Sequence, residues 1–313
     1  MEQQNEQNDV RIPLVAFNIS LIALVISLGF LIYQVDSKKD HVAEQKIIPT
    51  AVFINPEVLA SSYVVWDIQS GTIIAEKDSL VTRPLASVTK VMSAVVARSI
   101  LPTDSQVTIR REFLEEEGDS GLRDGEVFKL GDLLDLSLIV SSNDGARSIA
   151  SVAGAFMLGT NDYTFGRSEF IREMNVEAKE LGLMSLSFTN ETGLDNEDGT
   201  TGGYGNAQDV AKLFAYALKQ YPNLLEATHK NTDTVKSVQY VHQLENTNTS
   251  LEQIPNTIAS KTGFTNLAGG NLAVVFDAGF GRPIAIVVLG STTEGRFTDM
   301  VALASSTLQY LAQ

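Results

Sequence analysis

Three short groups of polar residues follow one another along the chain, and their side chains are of the kinds that carry out acyl transfer. Ser87 and Lys90 form an S-x-x-K pair, Ser141 and Asn143 form an S-x-N group, and Lys-Thr-Gly stands at 261–263. A serine hydroxyl becomes a nucleophile when a neighbouring base takes its proton, and a neutral lysine can be that base. Each group is a weak signal by itself, but the three in this order are a specific combination.

The S-x-x-K pair is expected at the beginning of a helix. Apolar residues between 88 and 96 recur at helical spacing, and Pro102 ends the pattern. Because residues three apart share a helical face, Lys90 can reach Ser87, and desolvation or a second lysine nearby would lower its pKa enough to make it a base. The helix N-terminus also favours an oxyanion near Ser87. For the pair alone, the alternative is a capping serine and a solvated lysine.

The other two groups are expected in a turn and in a strand. Adjacent Ser, Asn, Asp and Gly residues at 141–145 are typical of a turn or a helix end. The Lys-Thr-Gly group falls in a strand pattern, where a side chain in place of Gly263 would hinder a substrate backbone from pairing along the strand. Ordinary structure explains each group separately, so the functional interpretation depends on all three together.

The elements that would position these groups are strands at both ends of the folded region and helices between them. Apolar runs around 69–71 predict a hairpin, and two more runs joined by a turn at 279–283 precede an amphipathic helix at about 298–311. We therefore predict an α/β fold of the α+β type, in which an antiparallel sheet is flanked by terminal helices and an all-helical lobe is inserted, with the active site between them. The charged segment 111–125 is predicted to be solvated surface.

The N-terminal region has a different composition. Residues 12–35 contain no charged side chain, and the run from Leu14 to Tyr33 has about the 20 residues needed to cross a bilayer. The acidic residues before it are unlike the basic start of a cleavable signal peptide. We predict a tail at 1–11, a transmembrane signal anchor at 12–35, a polar linker at 36–50 and a catalytic domain at 51–313. Lys38 and Lys39 would by themselves favour a cytoplasmic C-terminal side.

Composition excludes several functional classes. The chain has 38 acidic and 23 basic residues and a net charge of −15, so we expect no nucleic-acid partner. With no cysteine, a disulfide framework, a thiolate nucleophile and an iron–sulfur cluster are excluded. His41, His229 and His242 have no metal-binding spacing and do not suggest a Ser-His-Asp triad. We expect neither a metal nor an organic cofactor.

The residues resemble the serine D-alanyl-D-alanine carboxypeptidases, the low-molecular-mass penicillin-binding proteins of peptidase family S11. The similarity covers about residues 50–313 and extends beyond the three groups, to RPLASVTKVMSA, LRDGEVFKLGDLLDLSLIVSSNDGARSIA, FIREMNVEAKELGLMSLSFTNETGL and SKTGFTNLAGGNLAVVF. It implies a β-lactamase/transpeptidase-like fold. It also implies that the substrate is a peptidoglycan stem peptide ending in D-Ala-D-Ala, and that β-lactam antibiotics are covalent inhibitors.

The resemblance implies a role for each residue of the first two groups. Ser87 would be the acylated nucleophile, Lys90 its general base, and Ser141 the relay of a proton to the leaving group. Asn143 would bind the substrate peptide and orient Lys90. The backbone N–H groups of Ser87 and Phe264 would form the oxyanion hole.

The remaining positions would bind substrate. Lys261 and Thr262 would face its C-terminal carboxylate beside Gly263, and Arg296 is a further candidate for contact with that carboxylate. The resemblance also implies cell-wall remodelling by a single-pass membrane protein whose catalytic domain lies outside the cytoplasm, despite the lysine count.

Two positions depart from the family pattern. Glu191 stands where the family usually has proline, and Gly205-Asn206-Ala207 replaces its usual Ser-Thr-Ala. We expect neither departure to touch the three groups.

Two alternatives stay open. A class A-like β-lactamase shares the S-x-x-K and K-T-G groups but needs an acid in a Glu-x-x-x-Asn pattern, whereas Ile171 stands four residues before Asn175 and Asp195 four after Glu191. A non-catalytic cell-wall-binding scaffold of the same fold is the other alternative. The presence of every polar residue of the three groups argues against it.

Overall fold

The computed structural model describes residues 14–39 and 52–313, and within the first range it describes the side chains of residues 21–34. The chain divides into two units, residues 1–50 and residues 51–313. In the first unit, helix α1 spans Leu14–Lys39, and the side chains described there are exposed. Among the described residues, no helix combines the length and apolarity that crossing a membrane requires. The predicted tail at 1–11 and most of the predicted linker at 36–50 lie outside the described residues.

The second unit mixes strands and helices. Its strands are β1 Ser62–Asp67, β2 Thr72–Lys77, β3 Arg83–Pro84, β4 Gln106–Thr108, β5 Val127–Lys129, β6 Ser187–Phe188, β7 Gly203–Gly205, β8 Thr232–Lys236, β9 Val241–Glu245, β10 Thr257–Thr265, β11 Gly269–Asp277 and β12 Pro283–Ser291. Its helices are α2 Lys90–Ile100, α3 Leu130–Ile139, α4 Asn143–Leu158, α5 Tyr163–Glu180, α6 Ala207–Gln220 and α7 Gly295–Leu311.

The main sheet has the strand order β10-β11-β12-β1-β2, and every neighbouring pair in it is antiparallel. Strands from the two ends of the unit therefore pair in its middle, where β1 lies beside β12. Both predicted hairpins are present, as β1–β2 and β11–β12. The sheet leaves β10 at its edge, which puts the Lys-Thr-Gly group on a strand with one side free of main-sheet partners.

Both faces of the sheet are covered, because successive strand residues point to opposite sides. Val274 and Val288 pack with Met300 of α7 in one core, whereas Val275 and Val287 belong to a second core that also contains residues of α2 and α6. Burial on both faces explains why the central strands are apolar at nearly every position.

The helices α2 to α6 lie in sequence between the first two main-sheet strands and the last three. The predicted α/β class, with an antiparallel sheet and a helical insertion, is confirmed. Two details differ from the sequence expectation. A 3-10 turn at Ala86–Thr89 precedes α2, so Ser87 lies before the α-helix and not in its first turn. The terminal helix begins at Gly295, earlier than the expected 298.

Candidate active site

The three polar groups, which lie far apart in the sequence, meet at one place. Ser87 belongs to the 3-10 turn, Lys90 begins α2, and Asn143 begins α4 after Ser141 in the connection from α3. Lys261 projects from the edge strand β10. The hydroxyl-bearing residues Ser87 and Ser141 are partly exposed, whereas both lysines are buried. The arrangement is a pair of partly exposed serines, each in contact with a buried amine.

The Lys90 amine makes three contacts. Its Nζ lies 2.9 Å from Ser87 Oγ, 2.6 Å from Asn143 Oδ1 and 2.9 Å from the carbonyl oxygen of Thr192. Burial lowers the pKa of Lys90 to about 7, against the opposing effect of the nearby carboxylates of Glu191 and Glu116. Close to neutral pH, a large fraction of Lys90 is therefore a free amine next to a serine hydroxyl.

Lys261 is the second buried amine. Its Nζ donates to Ser141 Oγ at 2.9 Å and to the carbonyl oxygen of Thr262 at 3.0 Å. Burial lowers the pKa of Lys261 well below its usual value, and the positive charges of Lys90 and Arg296 lower it further. Ser141 is thus in contact with a group able to exchange a proton.

At the site, two residues that are not glycine have a left-handed backbone conformation. Ala86, directly before Ser87, has φ 48°, and Ser141 has φ 61°. A left-handed conformation costs a residue that is not glycine about 1–3 kcal/mol, and it persists where the surrounding structure fixes it. At Ser141, that constraint includes Ser142, whose side chain caps α4 by accepting from the Gly145 N–H at 2.9 Å.

At Gly263, strand β10 comes close to the 3-10 turn that carries Ser87. A Cβ added there would lie 2.8 Å from the carbonyl oxygen of Leu85 and 3.2 Å from the backbone nitrogen of Ser87. The sequence reasoning assigned this glycine to the passage of a substrate backbone. The structure adds a nearer reason, which is that the protein's own backbone occupies the space of a side chain. The consequence is that the strand edge lies beside the Ser87 N–H.

The remaining predicted residues lie along the same strand or behind it. Thr262 Oγ1 is 2.6 Å from Thr247 Oγ1, and the Phe264 side chain is exposed. Arg296 is buried, and its Nη1 donates to the carbonyl oxygen of Gly263 at 2.7 Å. Its Nε has no partner among the described residues. Arg296 is therefore a buried cation behind β10 and not a surface arginine.

Glu191, the first departure from the family pattern, lies next in the chain to a residue that contacts the three groups. Glu191 is fully buried, and its backbone carbonyl accepts from Ser93 of α2 at 2.7 Å. The next carbonyl, that of Thr192, is the one that binds Lys90. Sequence reasoning missed Thr192 because a backbone acceptor carries no side-chain signal. At the second departure, Asn206 caps α6 by accepting from the Asp209 N–H.

The charged segment 111–125 is only partly the solvated surface that was predicted. Its Glu117 carbonyl accepts from Asn143 Nδ2 at 2.6 Å, and its Ser120 hydroxyl lies 2.6 Å from that of Ser142. The Glu116 side chain is 16% exposed and pairs with Arg147 at 2.9 Å. The segment therefore forms one wall beside the beginning of α4. Within residues 14–39 and 52–313, no cluster of His, Asp or Glu side chains is arranged to hold a metal ion.

Comparison with known proteins gives consistent matches over this unit. The family described as D-alanyl-D-alanine carboxypeptidase, peptidase family S11, matches residues 50–293. The chain is 29% identical to a D-alanyl-D-alanine carboxypeptidase of Mycobacterium tuberculosis over 254 residues, which are 81% of this chain and 82% of the relative. It is 30% identical to a D-alanyl-D-alanine endopeptidase of Escherichia coli over 288 residues, 90% of this chain and 84% of the relative.

A solved structure also matches the fold. The crystal structure of a D-alanyl-D-alanine carboxypeptidase from Mycobacterium tuberculosis superposes with a TM-score of 0.71 at 27% identity, covering 86% of this chain and 97% of that one. The similarity therefore extends over nearly the whole of the matched protein.

Proposed function

We propose how the site works from the premise that this chain belongs to the D-alanyl-D-alanine carboxypeptidase family and is a serine-type D-Ala-D-Ala carboxypeptidase. Its substrate class is the peptidoglycan stem peptide ending in D-Ala-D-Ala, and β-lactams bind it as well. The observation that carries the proposed mechanism is the contact of the buried Lys90 amine with the Ser87 hydroxyl at 2.9 Å.

The contacts of Lys90 support proton transfer from Ser87 to Lys90. A neutral amine has two N–H groups and one lone pair. The oxygens of Asn143 and Thr192 can only accept, so they take the two N–H groups. The lone pair is then left for the Ser87 hydroxyl, which donates its proton to Lys90. Asn143 and Thr192 thus orient the base.

Acylation follows from this arrangement. As Ser87 Oγ attacks the carbonyl carbon of the penultimate D-alanine, its proton passes to Lys90. The carbonyl oxygen becomes an oxyanion between the N–H groups of Ser87 and Phe264. The C–N bond then breaks, and the departing D-alanine nitrogen takes a proton from Ser141, which Lys261 resupplies. Water then attacks the ester and passes a proton through Ser141 to Lys261. The bond between the carbonyl carbon and Ser87 Oγ breaks, Ser87 takes back the proton held by Lys90, and the shortened peptide leaves with a terminal carboxyl group.

The edge strand β10 would bind the substrate backbone. Because its free side runs beside the Ser87 turn, an extended peptide can add there as a further strand. Arg296 brings positive charge, and Lys261 and Thr262 bring N–H and O–H donors, to the end of the cleft where the terminal carboxylate would lie. Arg296 already donates to the Gly263 carbonyl, so we assign it support of the strand as well as attraction of the carboxylate.

A β-lactamase is the weaker candidate. Rapid hydrolysis of a penicilloyl ester in class A enzymes needs a carboxylate that activates water. The buried acid beside Lys90 in the described chain is Glu191, and both its oxygens accept from Arg167 Nε, at 2.9 and 3.0 Å. With its carboxylate so engaged, slow release of bound penicillin is expected.

An endopeptidase activity is a second candidate. The Escherichia coli relative, 30% identical over 90% of this chain, is named a D-alanyl-D-alanine endopeptidase. Cleavage of a crosslink would use the same acyl-enzyme, with an amine of a second stem peptide as leaving group.

We further propose that the N-terminal region anchors the enzyme in the cell membrane and that residues 51–313 act outside the cytoplasm. Support comes from the lack of charge between residues 12 and 35 and from the exposed apolar side chains of residues 21–34 on α1. Carbonate extraction of membranes would retain an anchored chain and release a peripheral one, and a protease added to intact spheroplasts would digest only an external domain.

The activity is tested with the purified full chain and two substrates, a stem peptide ending in D-Ala-D-Ala and a crosslinked muropeptide dimer. Release of D-alanine from the first, lost in Ser87→Ala, is the expected result. Conversion of the dimer to monomers would add endopeptidase activity. A folded wild-type chain that cleaves neither substrate would contradict the proposal and favour the scaffold alternative.

A further inference from the structure

Glu191 is a buried acid that the mechanism above does not use. It lies in the turn between β6 and β7 and is fully buried. Both carboxylate oxygens accept from Nε of Arg167 on α5, whose Nη2 also lies 3.5 Å from Glu116. A buried carboxylate is costly unless it is paired and hydrogen-bonded, so the ion pair fixes where this turn sits against α5.

The same turn is tied to the base. Ser93, one helical turn beyond Lys90 on α2, donates to the backbone carbonyl of Glu191 at 2.7 Å. Lys90 donates to the carbonyl of the following residue, Thr192, at 2.9 Å. Glu191, whose side chain is held by Arg167 and whose backbone is held by α2, thus directly precedes the residue whose carbonyl accepts from the Lys90 amine.

We propose that the ion-paired acids Glu191 and Glu116, joined by Arg167, form a positioning cluster for Lys90. The cluster fixes the Thr192 carbonyl on the Lys90 amine and sets how readily that amine holds a proton. The inference rests on the proposed function, in which neutral Lys90 takes the proton of Ser87.

The effect of the two acids on the pKa of Lys90 has a definite direction. Negative charge near an amine favours its protonated form, and both Glu191 and Glu116 raise the pKa of Lys90, opposing the larger effect of burial. Neutralising either acid therefore extends the active, neutral form of Lys90 to lower pH. Glu191 of the turn and Glu116 of segment 111–125 act on Lys90 directly, and Lys261 of β10 interacts with it electrostatically. The charged groups that contact these two acids are Arg167 of α5 and Arg147 and Asp144 of α4.

The test is the pH dependence of the second-order rate constant for acylation of the full chain by a fluorescent penicillin. Its acidic limb reports the ionisation of the free enzyme. In Glu191→Gln we expect that limb to move to lower pH by about one unit, and in Glu116→Gln by less. Glu191→Asp keeps the charge and should leave the limb nearer its wild-type position.

Glu169→Gln is the matched control. Glu169 lies on α5 two residues from Arg167, but its partner there is Arg172, whose side chain is largely exposed. In Glu169→Gln, the acidic limb of the pH profile should lie where it does in the wild type. A folded Glu191→Gln variant with an unshifted limb, or with a limb moved to higher pH, overturns the inference.

Two further results distinguish a variant that does not fold from a failure of the proposed function. If Glu191→Gln does not fold, the test uses Glu116→Gln in its place. An unshifted acidic limb in Glu116→Gln then overturns the inference. If the wild type is not acylated at any pH, the proposed function has failed. The inference is then decided by an NMR titration of carbon-labelled lysine in the wild type and Glu116→Gln, where an unchanged Lys90 titration would contradict it.

Discussion

The Nζ atom of Lys90 lies 2.9 Å from Ser87 Oγ, while its two other contacts are to oxygens that can only accept. The amine therefore has one direction in which its lone pair can point. Because Lys90 is buried, its loss of a proton near neutral pH needs no histidine. Neither of the described histidines, His229 and His242, hydrogen-bonds to Ser87 or Lys90.

Removing the Lys90 amine should abolish most of the chemistry. In Lys90→Met, a neutral side chain of similar length, we expect acylation by penicillin to slow by about 10²–10⁴-fold, the usual contribution of general-base catalysis. Lys179→Met, at an exposed position of α5, is the control and should acylate at the wild-type rate. Stopped-flow labelling measures both, and equal rates for Lys90→Met and the wild type would remove Lys90 from the mechanism.

Acylation should depend on pH through Lys90. Since burial lowers the pKa of Lys90 to about 7, most of its amine is protonated at pH 6 and neutral at pH 8. We expect the second-order acylation rate to rise about tenfold between these two pH values and then to level off. A rate that is flat over this range would show that the titrating base is another group.

Lys90 should also couple folding stability to pH. Its pKa is about 7 in the folded chain against the ordinary 10.5, so the unfolded chain binds more protons between these values. The contribution of this group to the free energy of unfolding therefore rises with pH across that window. Urea denaturation at several pH values should give a smaller positive slope for Lys90→Met than for the wild type. Identical slopes would mean that folded Lys90 keeps its ordinary pKa.

Two substitutions at Ser141, whose backbone is left-handed, should affect activity alike and stability differently. Both Ser141→Ala and Ser141→Gly lose the hydroxyl, and both should lose most D-alanine release. Glycine adopts φ 61° freely, so Ser141→Gly should be more stable than Ser141→Ala by about 1 kcal/mol. Thermal unfolding of the two variants measures the difference, and the opposite order of stability would contradict the strained backbone.

Adding a methyl group at Gly263 should push β10 away from the 3-10 turn that carries Ser87. The new Cβ would be 2.8 Å from the Leu85 carbonyl oxygen, so we expect Gly263→Ala to lose about 1–3 kcal/mol of stability and to acylate more slowly. Gly131→Ala on α3 is the control, since its Cβ would come no nearer than 3.4 Å to another atom. A Gly263→Ala variant as stable and as active as the wild type would show that the strand can move without cost.

Much of the fold was accessible from the sequence because its signals are local. The hairpins at β1–β2 and β11–β12 follow from apolar runs around turn residues, and α6 follows from its helical period. The candidate site residues were singled out because S-x-x-K, S-x-N and K-T-G place particular side chains at fixed spacings, and the structure brings these three groups together. Their roles in this chain remain proposals.

The parts that sequence reasoning missed depend on tertiary packing. The carbonyl of Thr192 carries no side-chain chemistry, and nothing near Glu191 in the sequence indicates that Arg167 lies against it. The charges of segment 111–125 look like those of any solvated loop, although Glu116 and the Glu117 carbonyl contact α4. Glycine at 263 was correctly singled out, but the nearest atoms that require it belong to the protein's own turn.

The most direct test is the intact mass of the full chain after incubation with a fluorescent penicillin, followed by peptide mapping. We expect a single covalent adduct on Ser87 that is absent in Ser87→Ala and persists long enough to isolate. An adduct on another residue, or a folded wild-type chain that acquires no added mass, would contradict the assignment of Ser87 as the nucleophile.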